Sequence, residues 1–295
     1  MTNEINQINE QPITQTQEIK TESTLFAEPI YKVNGFTITN SLLTSWLAVA
    51  VIILFSLVIR KKIATVPKGI MNYVEIILDE ALKMADSVTG SRQKTLKFMP
   101  IVFPLFIFIL LNNWFGLLPG VGSIGFVQHH GAEAIFIPFL RGGTADLNTT
   151  LALAIMAIVL THIFGVVLVS GWSHLNRFIG LNLFLEIPKK IIKEKDYNVL
   201  FVNPIKFFVG LIEIIGEFAK VASLSFRLFG NIFAGEVLLG AMAAIFAFVL
   251  PIPFIFLEII VGIIQALIFA MLTLVFLTIM TTSHDGEEGH AEARH

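Results

Sequence analysis

Long apolar tracts alternate with short polar stretches along this chain. Three tracts, at residues 41–59, 99–118 and 148–169, have the roughly 20 residues that an α-helix needs to cross a bilayer. Two further tracts, at residues 205–250 and 254–280, are longer. The pattern predicts an all-α integral membrane protein with about five membrane helices.

The tract at residues 205–250 is too long for one upright helix. At 1.5 Å per residue it would extend roughly 68 Å, against a hydrocarbon core of about 30 Å. Either the tract breaks, or it forms one strongly tilted helix. We favour the tilted helix, because no proline interrupts the tract before Pro251 and Pro253. It would form a hairpin with the last helix, which is also longer than an upright span and tilted.

Residues 67–98 show a different pattern. Apolar side chains recur at spacings of three and four between Ile70 and Leu82, with charged residues between them, which predicts an amphipathic helix at the membrane surface. Basic residues follow the first span at once and recur in the loop at residues 171–203. Because such residues mark the cytoplasmic side, we expect the amphipathic helix inside and the N-terminus outside.

The same pattern divides the chain into three parts. Residues 1–39 form a polar, external tail that is mobile or lightly docked, residues 40–282 form the membrane domain, and residues 283–295 form a charged cytoplasmic tail. The first part lacks the basic start and apolar core of a cleavable signal peptide.

Composition narrows the chemistry. The chain is 55% hydrophobic and 14% charged, against about 25% charged residues in a typical soluble domain, and its mean hydropathy is +0.78. It has no cysteine, which excludes disulfides, thiolate metal sites and cysteine catalysis.

His129 and His130 are adjacent and would not share a face, so we expect no metal and no other cofactor. No basic aromatic patch indicates nucleic-acid binding.

Arg227 is the anomalous residue, because it lies inside the long apolar tract. A buried arginine at the centre of a membrane helix costs roughly 2.5–3.5 kcal/mol on insertion scales, and such residues mark ion paths by default. At about 100° per residue, one helical face carries Arg227 with four small or polar residues: Ser223, Gly230, Asn231 and Ala234. Glu236 lies about 180° away. The arginine is therefore offered to something outside its own helix.

The last two helices place a set of polar groups at membrane depth: Arg227, Asn231, Glu236, Glu258 and Gln265. Carboxylates and amides in a wet crevice can pass protons, whereas an arginine stays protonated and can only hold a fixed charge. The set indicates a proton or cation path interrupted by an electrostatic gate. The titrating carboxyl that meets Arg227 should then belong to a partner.

Three segments of the sequence resemble motifs of a known protein family. The sequence SLSFRLFGN at residues 223–231, followed by AGE at residues 234–236, resembles the signature of subunit a of the F-type ATP synthase. QALIF at residues 265–269 resembles the final helix of that family, and TADLN at residues 144–148 resembles a motif before its third span. The resemblance covers about residues 40–282.

The resemblance implies a non-catalytic stator subunit beside a rotating ring of c subunits, with peripheral-stalk b subunits and membrane lipid as further partners. It implies that Arg227 faces the ring, drives deprotonation of the c-subunit carboxyl and blocks proton leak. Two offset half-channels would reach the ring. The remaining residues would be divided as follows: Glu236, Glu258 and Gln265 in the outer half-channel, Ser223 and Asn231 in the inner one, Gly230 and Ala234 packing on the ring, and Asp146 and Asn148 at a channel mouth.

This chain departs from the family at one point. The family often pairs one carboxylate with one histidine, whereas this chain has carboxylates at both Glu236 and Glu258. Two nearby acids can share a proton. The coupling ion, proton or sodium, depends on ligands in the c subunit.

The sequence lacks the marks of two other classes of membrane protein. A secondary transporter would show internal repeats with interrupted helices in both halves, and none is visible. An intramembrane enzyme would need a nucleophile–base pair or a ligand set at membrane depth, where His162 stands alone. The absence of a transit peptide favours the plasma (inner) membrane of a bacterium.

Overall fold

The computed structural model describes residues 19–20, 24–61, 69–130, 133–168, 199–246 and 249–281. Most of the predicted loop at residues 171–203 lies outside these ranges, as do the tail at residues 283–295 and the start of the N-terminal tail.

The described part of the chain contains six α-helices: α1 Asn40–Arg60, α2 Ile70–Thr89, α3 Arg92–Phe115, α4 Leu147–Leu168, α5 Val199–Ile245 and α6 Pro251–Thr281. Five of them are long and apolar enough to cross a membrane, namely α1, α3, α4, α6 and residues 208–245 of α5. The predicted fold class is confirmed, and α1 and α4 begin and end within one residue of the predicted spans.

The long tract forms one continuous helix of 47 residues, α5. It begins at Val199, six residues before the predicted start, and ends at Ile245. The predicted boundary at the double proline is wrong, because Pro251 and Pro253 lie in the first turn of α6. Proline is tolerated there, since the first N–H groups of a helix have no intrahelical partner.

The amphipathic segment is shorter than predicted. It ends at Gly90, where a left-handed φ of 66° terminates α2. The second span then begins at Arg92, seven residues before the predicted start, and runs through Pro100 and Pro104. Arg92 donates to Asp86 at 2.8 Å across the turn between the two helices.

Five short strands cover one end of the bundle: β1 Ile19–Lys20, β2 Pro29–Val33, β3 Phe36–Thr39, β4 Gly125–His130 and β5 Glu133–Pro138. Strands β2 and β3 form an antiparallel hairpin, and β5 pairs antiparallel with β4 and parallel with β1. The hairpin β2–β3 turns at Asn34 and Gly35, both with positive φ, as a two-residue turn requires. We call this the strand end of the bundle.

The strands lie in two parts of the chain. The segment at residues 118–146, between the second and third predicted spans, contains β4, β5 and a 3-10 turn at Gly143–Ala145. The last part of the N-terminal tail is docked, which is one of the two expected states, because β1 pairs with β5 and β3 leads directly into α1.

The core lies where α3, α4, α5 and α6 meet. Its centre holds Leu105 and Ile109, Ala154 and Ala157, Leu224 and Leu228, and Ala266 and Phe269. A second cluster joins α2 to α3 and α6 through Ala85, Phe98 and Leu274. Small side chains on α4 and α6 allow close approach of neighbouring helices, as in other membrane bundles. This packing fixes one side of α5 and leaves its other side open.

Candidate functional site

Arg227 lies on the open side of α5. Its side chain is exposed, and its single hydrogen bond within the described part of the chain is to the Ser223 hydroxyl, at 3.4 Å. Gly230, Asn231 and Ala234 are exposed on the same strip. A Cβ placed on Gly230 would meet no atom within 4 Å. The face predicted by helical geometry is therefore an uncovered surface that carries one permanent positive charge.

The opposite side of α5 carries a different charge arrangement. Glu236 accepts from Arg141, whose Nε lies 3.0 and 3.1 Å from the two carboxylate oxygens and whose Nη2 lies 2.9 Å from Oε2. The ion pair is bidentate, the geometry in which guanidinium and carboxylate bind most strongly. Glu236 is thus neutralised from the strand end of the bundle, and Arg227 takes no part in it.

Arg141 is held by the N-terminal strap, which we define as residues 24–28. Its Nη1 donates to the Thr24 hydroxyl at 3.2 Å and to the Phe26 carbonyl at 3.3 Å, and its Nη2 donates to the Thr24 carbonyl at 2.8 Å. The side chain is only 6% exposed. The sequence alone did not reveal this role of Arg141, because none of its partners is a near neighbour in the chain.

Glu258 lies close to this pair but has a different environment. Its carboxylate rests against Gly235, so closely that a Cβ at position 235 would overlap it. The residue is 7% exposed. Within the described residues no side chain donates a hydrogen bond to it. The two carboxylates are therefore not equivalent, although both line the same part of the molecule.

Gln265 is buried two turns beyond Glu258 on α6. Gly262 lies between them and accepts a hydrogen bond from Asn113 Nδ2 at 2.9 Å. Gly262 thus faces α3, whereas the carboxylate of Glu258 lies against α5. Asn113 also accepts from the Thr144 hydroxyl at 2.6 Å, which ties the 3-10 turn to the same point.

A cavity of about 460 Å³ opens beside these groups. Its polar lining includes Arg141, Glu236, Glu258 and Asn113, and its apolar lining includes Ile232 from α5. Residues 116–123, which follow α3, form the rim at the strand end. The cavity therefore connects the strand end of the bundle with the level of Glu258.

A second polar cluster lies toward the other end of α5. Glu217 accepts from Lys220 at 2.7 Å, and its other oxygen lies 3.5 Å from His162 Nε2 of α4. Lys220 also lies 5.0 Å above the ring of Phe276. His162 thus contacts Glu217 across the α4–α5 interface.

Asp146 is buried at the start of α4, where it accepts from the backbone of Asn148 and from both the N–H and the hydroxyl of Thr149. It also accepts from the Ala27 N–H at 3.1 Å, which ties the strap to α4. Asn148 is exposed beside it. Asp146 thus serves as a helix cap, and its place at a channel mouth stays a prediction.

Comparison with known proteins agrees with this architecture. The family described as ATP synthase A chain matches residues 42–278. The chain belongs to the ATP synthase A chain family. It is a non-catalytic, multi-pass membrane subunit of an ATP synthase complex, and its role lies in proton transport and ATP synthesis.

Individual relatives cover most of the chain. It is 30% identical to the ATP synthase subunit a of Geotalea uraniireducens over 83% of this chain and 87% of that one. It is 31% identical to the chloroplastic subunit a of Stigeoclonium helveticum over 82% of each chain. The subunit a of Geobacter sulfurreducens is 29% identical over 79% of this chain and 83% of its own.

Proposed function

We propose that this chain is the proton-translocating stator subunit of a rotary F-type ATP synthase, with Arg227 as the electrostatic gate that faces a ring of c subunits. One observation carries the proposal: Arg227 stands on an uncovered strip of small and polar side chains and has no carboxylate partner in the described chain. A permanent cation on a surface at membrane depth requires an anion from outside. The moving carboxyl of a c subunit would supply it.

The gate works through charge alone. An approaching carboxyl loses its proton more readily beside a guanidinium, because the positive charge favours the anion. The guanidinium itself cannot release a proton, so no proton passes through it. Gly230 and Ala234 leave the strip flat enough for a neighbouring helix to approach closely.

The two half-channels would reach the c-ring at this strip from opposite sides of the membrane. The outer one uses the cavity lined by Glu236 and Glu258, with Gln265 deeper on α6 and with Asp146 and Asn148 near its mouth. The inner one passes Ser223 and Asn231. Peripheral-stalk b subunits and lipid would cover other faces. With the strand end on the outer side of a bacterial inner membrane, the N-terminus would lie outside and the C-terminus in the cytoplasm.

The test is Arg227→Ala in the assembled complex. We expect ATP-driven acidification of inverted vesicles to disappear, while the amount of assembled complex stays at the wild-type level. The matched control is Arg92→Ala, which removes an arginine from an exposed ion pair with Asp86. Such a pair contributes about 0–1 kcal/mol, so the control should pump normally. Normal pumping by Arg227→Ala would refute the gate.

A further inference from the structure

We propose that Arg141 is a positioning residue of the cavity: it holds Glu236 as a fixed anion, so that Glu258 alone exchanges the translocated proton. The inference rests on the proposed function and deepens it. The sequence alone assigned the proton path to both Glu236 and Glu258, whereas the proposal gives the two carboxylates different roles.

The geometry of the ion pair supports the first half. Arg141 presents both edges of its guanidinium to acceptors, with Glu236 on one side and the strap carbonyls of Thr24 and Phe26 on the other. Because a guanidinium stays charged, protonation of Glu236 would leave a nearly buried cation without its counter-ion. Arg141 is 6% exposed and Glu236 is 35% exposed, so the charge left without its counter-ion would be the buried one, which is unfavourable. Transfer of the translocated proton to Glu236 is therefore disfavoured.

The surroundings of Glu258 support the second half. Its carboxylate meets the backbone of α5 at Gly235, and no Lys or Arg of the described residues forms an ion pair with it. The charged groups that share its cavity are Arg141 and Glu236, and these already satisfy each other. A proton delivered by water can form an O–H bond on Glu258, and that bond breaks when the proton moves on to the partner's carboxylate. The charge of the Arg141–Glu236 pair does not change in either step.

The strap shows why Arg141 stays in place. Residues 24–28 precede the range that matches the family, residues 42–278. They are nevertheless tied to the bundle at their C-terminal end. The Ala27 N–H donates to Asp146, the Glu28 N–H donates to the side-chain oxygen of Asn40, and the Glu28 carbonyl accepts from the Asn40 N–H. The strap is therefore part of the site, and its carbonyls are the second set of acceptors that orient the guanidinium.

The test is a double-mutant cycle in the complete complex, with Arg141→Gln, Glu236→Gln and the double variant. Each single change leaves either the Glu236 anion or the Arg141 cation without its counter-ion. We therefore expect the yield of complex, or the pumping rate per complex, to fall about tenfold or more. The double variant replaces the ion pair with two amides, and it should exceed either single variant several-fold in both readouts. A parallel cycle on the exposed Asp86–Arg92 pair, with Asp86→Asn and Arg92→Gln, should show no coupling.

Glu258→Gln supplies the contrast. We expect it to assemble like the wild type and to lose pumping, because no other carboxyl in the cavity can take over. Three results would overturn the inference: a double variant no better than the worse single variant, a double variant that assembles but does not pump, or normal pumping by Glu258→Gln. None of these depends on Arg227, whose own variant tests the gate separately.

Discussion

At the scale of single residues, the closest fit in the site is between Gly235 and Glu258. Gly235→Ala adds a methyl group where the carboxylate lies, and the flexible end of Glu258 must move away. Alanine is favoured over glycine in a helix by about 1 kcal/mol, so the fold should not suffer. We expect a several-fold loss of ATP-driven pumping at unchanged complex yield, measured in inverted vesicles.

Gly240→Ala is the matched control for that prediction. It makes the same exchange on the same helix, at a position where a Cβ meets nothing within 4 Å. It should pump at the wild-type rate. If the two variants behave alike, the position of the Glu258 carboxylate does not matter for transport.

Single residues also show where sequence reasoning reaches its limit. The open strip around Arg227 follows from helical periodicity, a local property, and the structure has these residues exposed as expected. The partner of Glu236 is 95 positions away in a turn, and no periodicity links the two. The sequence shows only that Arg141 lies five residues before Asp146. That position does not reveal which carboxylate pairs with Arg141.

At the scale of elements, the strands at the bundle end were harder to predict than the helices. Apolar runs of about 20 residues identify membrane helices by themselves, whereas β2 and β3 are four or five residues long. The Asn34–Gly35 turn between them was nevertheless a readable hairpin signal. The pairing of β1 with β5 was not readable, since it joins strands more than 110 positions apart.

The N-terminal strap gives a prediction at this scale. Deletion of residues 2–23 removes β1 but keeps Thr24 and Phe26, the acceptors of Arg141. Deletion of residues 2–27 removes them as well and also frees Asp146 from Ala27. We expect the shorter deletion to assemble and pump nearly as the full chain does, and the longer one to lower the yield of complex several-fold. Equal yields from the two deletions would exclude a positioning role for the strap.

At the scale of the whole molecule, α5 separates two environments. One side packs against α4 and α6. Toward the strand end it meets the cavity, which contains Glu236, paired with Arg141, and Glu258, which has no ion-pair partner among the described residues. The other side shows Arg227 to the exterior of the chain. Hydropathy predicted both long helices of the hairpin, but the separation depends on which side of α5 the bundle covers. Packing between distant helices decides that, and it was not readable from any one segment.

The orientation of the molecule is the last prediction, and the chain suits its test because it contains no cysteine. Ser123→Cys places one thiol in the exposed turn at the strand end, and Gln93→Cys places one near the turn between α2 and α3. With basic residues inside, a membrane-impermeant maleimide should label position 123 in right-side-out vesicles and position 93 only after permeabilisation. Inverted vesicles should show the reverse. The opposite pattern would open the Glu258 cavity to the cytoplasm and exchange the two half-channels, while the gate at Arg227 would stay where it is.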